Sequence, residues 1–185
     1  MSTKQIEKST VEIQIPDDVK VNLKGSMLHV QGPLGNVYKN FKKIPVLIEI
    51  NDNKILLKKT GERKKYLAIL NTSKSLIKTL CAGVVDGFTI KMKIVYSHFP
   101  ITVKVEGKNV LIENFQGERA PRISAIKGAT KVTVKGDDVI ITGPVLTDVS
   151  QTAANIQLKS KVKNKDHRVF LDGIYKFSQS KGIEK

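Results

Sequence analysis

Two stretches of the chain repeat one another at a fixed distance. Val21–Gly35 reads VNLKGSMLHVQGPLG and Val103–Gly117 reads VKVEGKNVLIENFQG. At an offset of 82, Val21, Leu23, Gly25, Leu28, Val30 and Gly35 fall on like or identical residues. Ile48–Leu57, IEINDNKILL, falls on Val132–Ile141, VTVKGDDVII, at an offset of 84. In each, apolar residues alternate about a short polar turn, the pattern of a β-hairpin. Helical periodicity follows both second hairpins, through Tyr66, Ile69, Leu70, Ile77, Leu80 and Cys81 in one half and Val149, Ala153 and Ile156 in the other. Asp148-x-x-Gln151 resembles a capping box for the second helix. The order hairpin, hairpin, helix therefore occurs twice. It predicts an α+β chain of two tandem duplicated domains, residues 1–83 and 84–185, meeting near Gly83–Asp86. Each is expected to be a small, mostly antiparallel sheet of hairpins packed on a helix. A third match, Val21–Pro33 on Val132–Pro144, shares more letters but breaks the element order, so it shows only that one hairpin recipe recurs.

Charge narrows the function. Lys and Arg number 32 against 17 Asp and Glu, a net charge of +15 shared by both halves. Such an excess points to an anionic partner, nucleic acid first. All the basic residues except Arg63, Arg119, Arg122 and Arg168 are lysines. Lysine is a point charge suited to phosphate, whereas the arginine fork suits bidentate contacts. Backbone and shape recognition is expected over base reading.

Catalytic signals are absent. His29, His98 and His167 are far apart and lack metal-like spacing, and His29 is expected on the solvent side of its strand. There is no phosphate-binding G-x-x-x-x-G-K-[ST] loop. Asp17-Asp18 and Asp137-Asp138 sit at turns, where Asp is ordinary. Cys81 is the single cysteine; it reads as a small buried apolar residue, and it excludes an intrachain disulfide. No enzyme, metal, cofactor or small-molecule substrate is expected. MSTKQIEKST does not read as a signal peptide, and no apolar run reaches the ~20 residues of a membrane span. A soluble intracellular protein is expected.

Four stretches are candidates for binding. Lys159–Arg168, KSKVKNKDHR, is a basic run followed by Val169, Phe170, Leu171, Ile174 and Tyr175, which favour burial. A run pinned to a fold at both ends serves phosphate contact better than a solvated tail, the alternative reading. Arg63, Lys64 and Lys65 open the first helix, either as an anion site or as a solvated helix face. Tyr96–Pro100, YSHFP, follows Lys91 and Lys93; its aromatics are expected to stack on bases or, the favoured reading, to form a strand end packed against the partner domain. Gly117–Arg122 carries Arg119 and Arg122 in a loop, suited to phosphates or merely solvated. Gln179–Lys185 reads as a frayed end. Gly32–Gly35 is a G-x-x-G, the pattern of a KH-type backbone clamp. It lies between strand patterns, it contains Pro33, and its first glycine becomes Asn114 in the repeat. A strand-to-strand turn is the better reading.

Val162–Tyr175, VKNKDHRVFLDGIY, together with HVQGPLG, MKIVYSHFPI and NFQGE, resembles the universal large-subunit ribosomal protein six family. The wording VYSHFPI and VKNKD resembles its eukaryotic form, large-subunit protein nine in the eukaryotic count. The chain departs from that form in having Lys59-Thr60 and no Trp before the first helix. The resemblance implies a two-domain structural constituent of the large ribosomal subunit that supports translation. It implies ribosomal RNA as partner, bound chiefly by the C-terminal domain near the sarcin–ricin loop, with neighbouring ribosomal proteins at the stalk base. A cytoplasmic ribosomal location follows, with nucleolar assembly for the eukaryotic form. On that basis Lys161, Lys163, Lys165, Arg168 and Tyr175 are RNA-facing candidates, and Asp172-Gly173 a structural turn. The alternative is a free-standing RNA chaperone or regulator using the same surface.

Overall fold

The computed structural model describes residues 10–51, 53–166 and 168–183. The chain divides into two compact units, up to Val85 and from Asp86. The first holds strands β1 (Thr10–Gln14), β2 (Lys20–Lys24), β3 (Met27–Gly32), β4 (Gly35–Asn40), β5 (Val46–Asn51) and β6 (Lys54–Lys59), then helix α1 (Lys64–Val85). The second holds β7 (Phe88–Val95), β8 (Thr102–Glu106), β9 (Asn109–Glu113), β10 (Arg122–Ala125), β11 (Lys131–Lys135) and β12 (Asp138–Gly143). Helix α2 (Leu146–Lys159) and strand β13 (Gly173–Lys181) complete it.

The units repeat one frame. In the first, β2-β3-β4 form a meander and β1-β6-β5 a second sheet; in the second, β8-β9-β10 and β11-β12-β7 repeat both, with β13 added beside β7. Every pairing described is antiparallel. The registers keep the offsets of the sequence. Lys24 faces Met27 as Glu106 faces Asn109, and Asn51 faces Lys54 as Lys135 faces Asp138. Gly25, Gly107 and Gly136 each open a two-residue turn at φ 60°, 57° and 59°. That left-handed position carries no steric cost only for glycine, so these residues fix the hairpin ends.

The pattern hairpin, hairpin, helix is therefore incomplete: each half also has an opening strand, β1 or β7, and a third meander strand, β4 or β10. β7 alternates, with Phe88, Ile90, Met92 and Ile94 buried on the core side and Lys91 and Lys93 between them, but its partners β12 and β13 lie far along the chain, so no neighbouring hairpin marks it. Two further expectations change. The helix α2 begins at Leu146, so Asp148 lies in its first turn and Val145 stands at the cap with no side-chain bond. Asp148 there still suits the helix dipole. Residues Gln179–Lys181 are not frayed but pair with Ile90, Thr89 and Phe88 in β13, closed by an ion pair of Lys181 with Asp86 at 2.7 Å. Their polar side chains conceal a strand because ladder bonds are made by the backbone. The helix α1 continues to Val85, and the first compact unit ends there, inside the Gly83–Asp86 stretch.

Each half has its own core. Leu70, Ile77 and Val84 of α1 are buried with Ile13, Leu28, Ile55 and Leu57 of the strands. Val149, Ala153 and Ile156 of α2 pack on Ile90, Met92, Val110, Val139 and Ile141. Cys81 is buried on α1, which pushes its thiol pKa up, the opposite of what a nucleophile needs.

The Gly32–Gly35 turn joins β3 to β4 with two residues between the paired glycines. It is docked onto the end of α1. Leu34 N–H donates to the Val84 carbonyl at 2.9 Å, and a Cβ on Gly32 would lie 2.7 Å from Val84 Cγ2. The turn spends its backbone donor on the helix and leaves no clamp for phosphate.

Candidate nucleic-acid interface

Three loops gather at one end of the second half: Tyr96–Pro100 after β7, Asn114–Pro121 between β9 and β10, and Ser160–Asp172 between α2 and β13. The third is anchored at both ends. The buried Ser160 hydroxyl accepts the Ile174 N–H at 3.0 Å and donates to the Gln157 carbonyl at 3.2 Å. Buried Asp172 accepts the Ser97 N–H at 2.9 Å, which ties the first loop to the third. Val162 is buried within the loop and Phe170 half-buried, so the basic run hangs from apolar pegs. The first and second loops also meet: Asn114 Nδ2 donates to the Pro100 carbonyl at 3.1 Å, and Phe99 packs against Gly117.

On this frame Lys161, Lys163, Lys165 and Arg168 are all exposed. The Arg168 side chain is 93% exposed and lies 3.5 Å from Asp166, whose carboxylate also accepts the Arg168 N–H. Lys165 Nζ sits 4.4 Å from the centroid of the Phe170 ring, and the His98 ring meets that ring edge-on. His167 lies outside the described residues. The two loop arginines part company. Arg119 is exposed, whereas Arg122 is turned inward, over the Phe115 ring at 4.1 Å. Arg122 donates to the carbonyls of Lys159 and Lys161 at 2.9 and 3.0 Å and to both carboxylate oxygens of Glu118. It caps the C-terminal end of α2 and fixes the start of the basic loop. Its hydrogen bonds, aided by its charge and that of Lys163, hold the Glu118 carboxyl below its ordinary pKa range. Arg122 is thus a positioning residue, a role that its loop sequence did not disclose.

Beside these loops lies an open groove of about 900 Å³, lined by Ile123 and Leu158, which are 53% and 66% exposed, and by Lys127, Lys159 and Lys163. Lys91, Lys93 and Tyr175 form a different group, on the outer face of the sheet, where Tyr175 pairs with Lys93. Tyr175 is 41% exposed, and its hydroxyl donates back to the Leu171 carbonyl at 3.2 Å, so it links that face to the basic loop. Arg63, Lys64 and Lys65 belong to the other half, exposed at the start of α1, with Lys65 over the Tyr66 ring at 5.1 Å. Among the described residues no group of three His, Cys, Asp or Glu is placed to hold a metal, and no helix is long and apolar enough to cross a membrane.

Residues 99–173, which include all three loops in whole or in part, match the family model described as Ribosomal protein L6. The chain is 44% identical over 163 residues to the large ribosomal subunit protein uL6 of Methanosarcina mazei, covering 88% of this chain and 93% of that one. It is 44% identical over 168 residues to that of Methanobrevibacter smithii, covering 91% and 94%. Against that of Archaeoglobus fulgidus it is 40% identical over 179 residues, covering 94% and 90%. These relatives are archaeal. Agreement over nearly the whole of both chains places the protein in the ribosomal protein L6 family, the uL6 family of the large subunit.

Proposed function

We propose that the chain is a structural constituent of the large ribosomal subunit that binds ribosomal RNA through the three loops of its second half. Its work is to neutralise phosphates and match RNA shape; it is not an enzyme. The observation that carries the reading is the anchoring of the Ser160–Asp172 loop, which holds Lys161, Lys163, Lys165 and Arg168 outward on a fixed frame. A merely solvated tail would need no such anchors. Arg119 joins them on the second loop, and Lys91, Lys93 and Tyr175 stand on the adjoining sheet. Arg63, Lys64 and Lys65 would offer a separate contact from the first half.

Finer placement rests on the family resemblance: contact near the sarcin–ricin loop, and neighbouring proteins at the stalk base. Assignment to the eukaryotic form, with nucleolar assembly, rests on the wording of Val95–Ile101 and Val162–Asp166 alone. The test is twofold. The protein should sediment with large subunits and resist moderate salt washing; residence wholly in the free pool would favour a free-standing RNA-binding chaperone. Lys163→Ala with Arg168→Ala should reduce the salt-dependence slope of RNA binding by roughly two phosphate contacts. An unchanged slope would remove the loop from the interface.

A further inference from the structure

The outer face of the sheet β11-β12-β7-β13 is built in rows. Lys135, Asp138, Lys93 and Tyr175 face one another across the four strands, and Thr133, Ile140, Lys91 and Ser178 form the next row. Lys131 begins a third, opposite Thr142. Cross-strand partners share a face, and the opposite face carries Ile90, Met92, Ile94, Val139 and Ile141 against α2. Four lysines therefore stand on one face of the sheet, with Asp138 as the only acid in these rows. Lys93 and Asp138 are 3.1 Å apart, both about half exposed. Lys131, Thr133 and Lys135 are exposed and gain nothing from the core beneath, which is filled by Val132 and Val134 of the same strand.

The first half supplies an internal control. Its equivalent face, on β1-β6-β5, also has two lysines on its central strand. Lys54 is paired with Glu12 at 3.1 Å and Lys58 with Glu49 at 2.8 Å. The remaining residues of those rows are Thr10, Gln14, Leu47, Asn51 and Leu56. One frame, repeated, thus carries a charge-balanced face in one copy and a cationic face in the other. Solubility is met by the balanced arrangement, so the added charge of Lys131 and Lys135 in the second copy needs another cause.

We propose that this cationic sheet face is a second phosphate-contacting surface, taking the sugar–phosphate backbone of folded RNA. Strand geometry sets its scale: Lys91 and Lys93 are about 7 Å apart, and the β7 and β11 rows about 10 Å. An array of point charges with Thr, Ser and Tyr hydroxyls between them suits backbone and ribose contact rather than base reading. The face is continuous with the basic loop through Tyr175, so one RNA could engage both. The proposal rests on the RNA-binding reading and extends it to Lys131 and Lys135, which the sequence pattern hid as the solvent side of a strand.

The test uses the full chain and protein-free large-subunit ribosomal RNA over a salt series. The triple variant Lys93→Gln, Lys131→Gln, Lys135→Gln should lower the slope of log K against log salt by two to three. Replacing the same three by Arg should restore it, with melting unchanged in both. Lys54→Gln with Lys58→Gln should leave the slope at its wild-type value. Combining the face variant with Lys163→Ala and Arg168→Ala should add the two losses. A wild-type slope in the Gln triple, while the loop variant flattens it, would overturn the sheet face alone. A loss in the face variant with none in the loop variant would overturn the loop reading and leave the face standing. A wild-type protein without salt-dependent binding would overturn both.

Discussion

The two halves share a frame and differ in what is hung on it. In the first half β3 turns into β4 through two residues, Pro33 and Leu34, and the turn is used to dock α1. At the same place in the second half β9 and β10 are joined by Asn114–Pro121, which carries Phe115, Glu118 and Arg119. The first helix is followed at once by the next strand. The second is followed by Ser160–Asp172 and an extra strand. The outer sheet face is balanced in one half and basic in the other. A duplicated frame frees one copy to hold structure while the other acquires loops and charge. The difference between copies separates what the frame needs from what a partner needs.

The comparison is open to attack at several depths. The largest effect should be the same in both halves: Ile77→Ala and Ile156→Ala each empty a fully buried helix position and should cost about 2–5 kcal/mol, read by denaturant unfolding. A much smaller cost in one half would mean that the cores are not equivalent. Next come the turns. Gly32→Ala forces a Cβ onto Val84 and should destabilise by about 1–3 kcal/mol while leaving RNA affinity unchanged. Asp172→Ala leaves the Ser97 N–H without its acceptor and should cost a similar ~1–3 kcal/mol, but with weaker RNA binding as the basic loop loosens. Equal effects of the two on binding would erase the contrast.

Smaller again is the effect of pH at Glu118. Its folded pKa is lowered by Arg122, so its stabilisation is present above the ordinary carboxylate range and lost as pH falls through the folded value. The pair is partly exposed, which limits it to about 1 kcal/mol or less. Thermal melts of wild type and Glu118→Gln should differ near neutrality and converge in acid; a constant gap would assign the effect to packing. The smallest effect belongs to the balanced face. Lys54→Gln should change stability by no more than ~1 kcal/mol, because its pair with Glu12 is over half exposed on each side.

Much of this frame was legible in residue order. Gly25, Gly107 and Gly136 mark hairpin ends because few other residues accept their backbone angles, and alternation on either side follows from the pleat. What was illegible depends on contacts distant in sequence. β7 alternates but has no hairpin partner beside it in sequence, since it pairs with β12 and β13 far along the chain, and Gln179–Lys181 look like a tail because backbone pairing asks nothing of side chains. The basic loop was legible as a charged run between apolar residues. Its anchors were not, since Ser160, Asp172 and Arg122 act through Ile174, Ser97 and two helix-end carbonyls. Lys131 and Lys135 form a surface only once β11 is placed beside β12 and β7.

The central claim is that the loops and sheet face of the second half carry the main RNA contacts, and the balanced sheet face of the first half carries none. Lysine-specific chemical labelling, read residue by residue by mass spectrometry with and without protein-free large-subunit ribosomal RNA, tests it most directly. The account predicts protection of Lys161, Lys163, Lys165, Lys93, Lys131 and Lys135, with Lys54 and Lys58 labelled equally in both samples. Protection of Lys54 and Lys58 with none in the second half would contradict it.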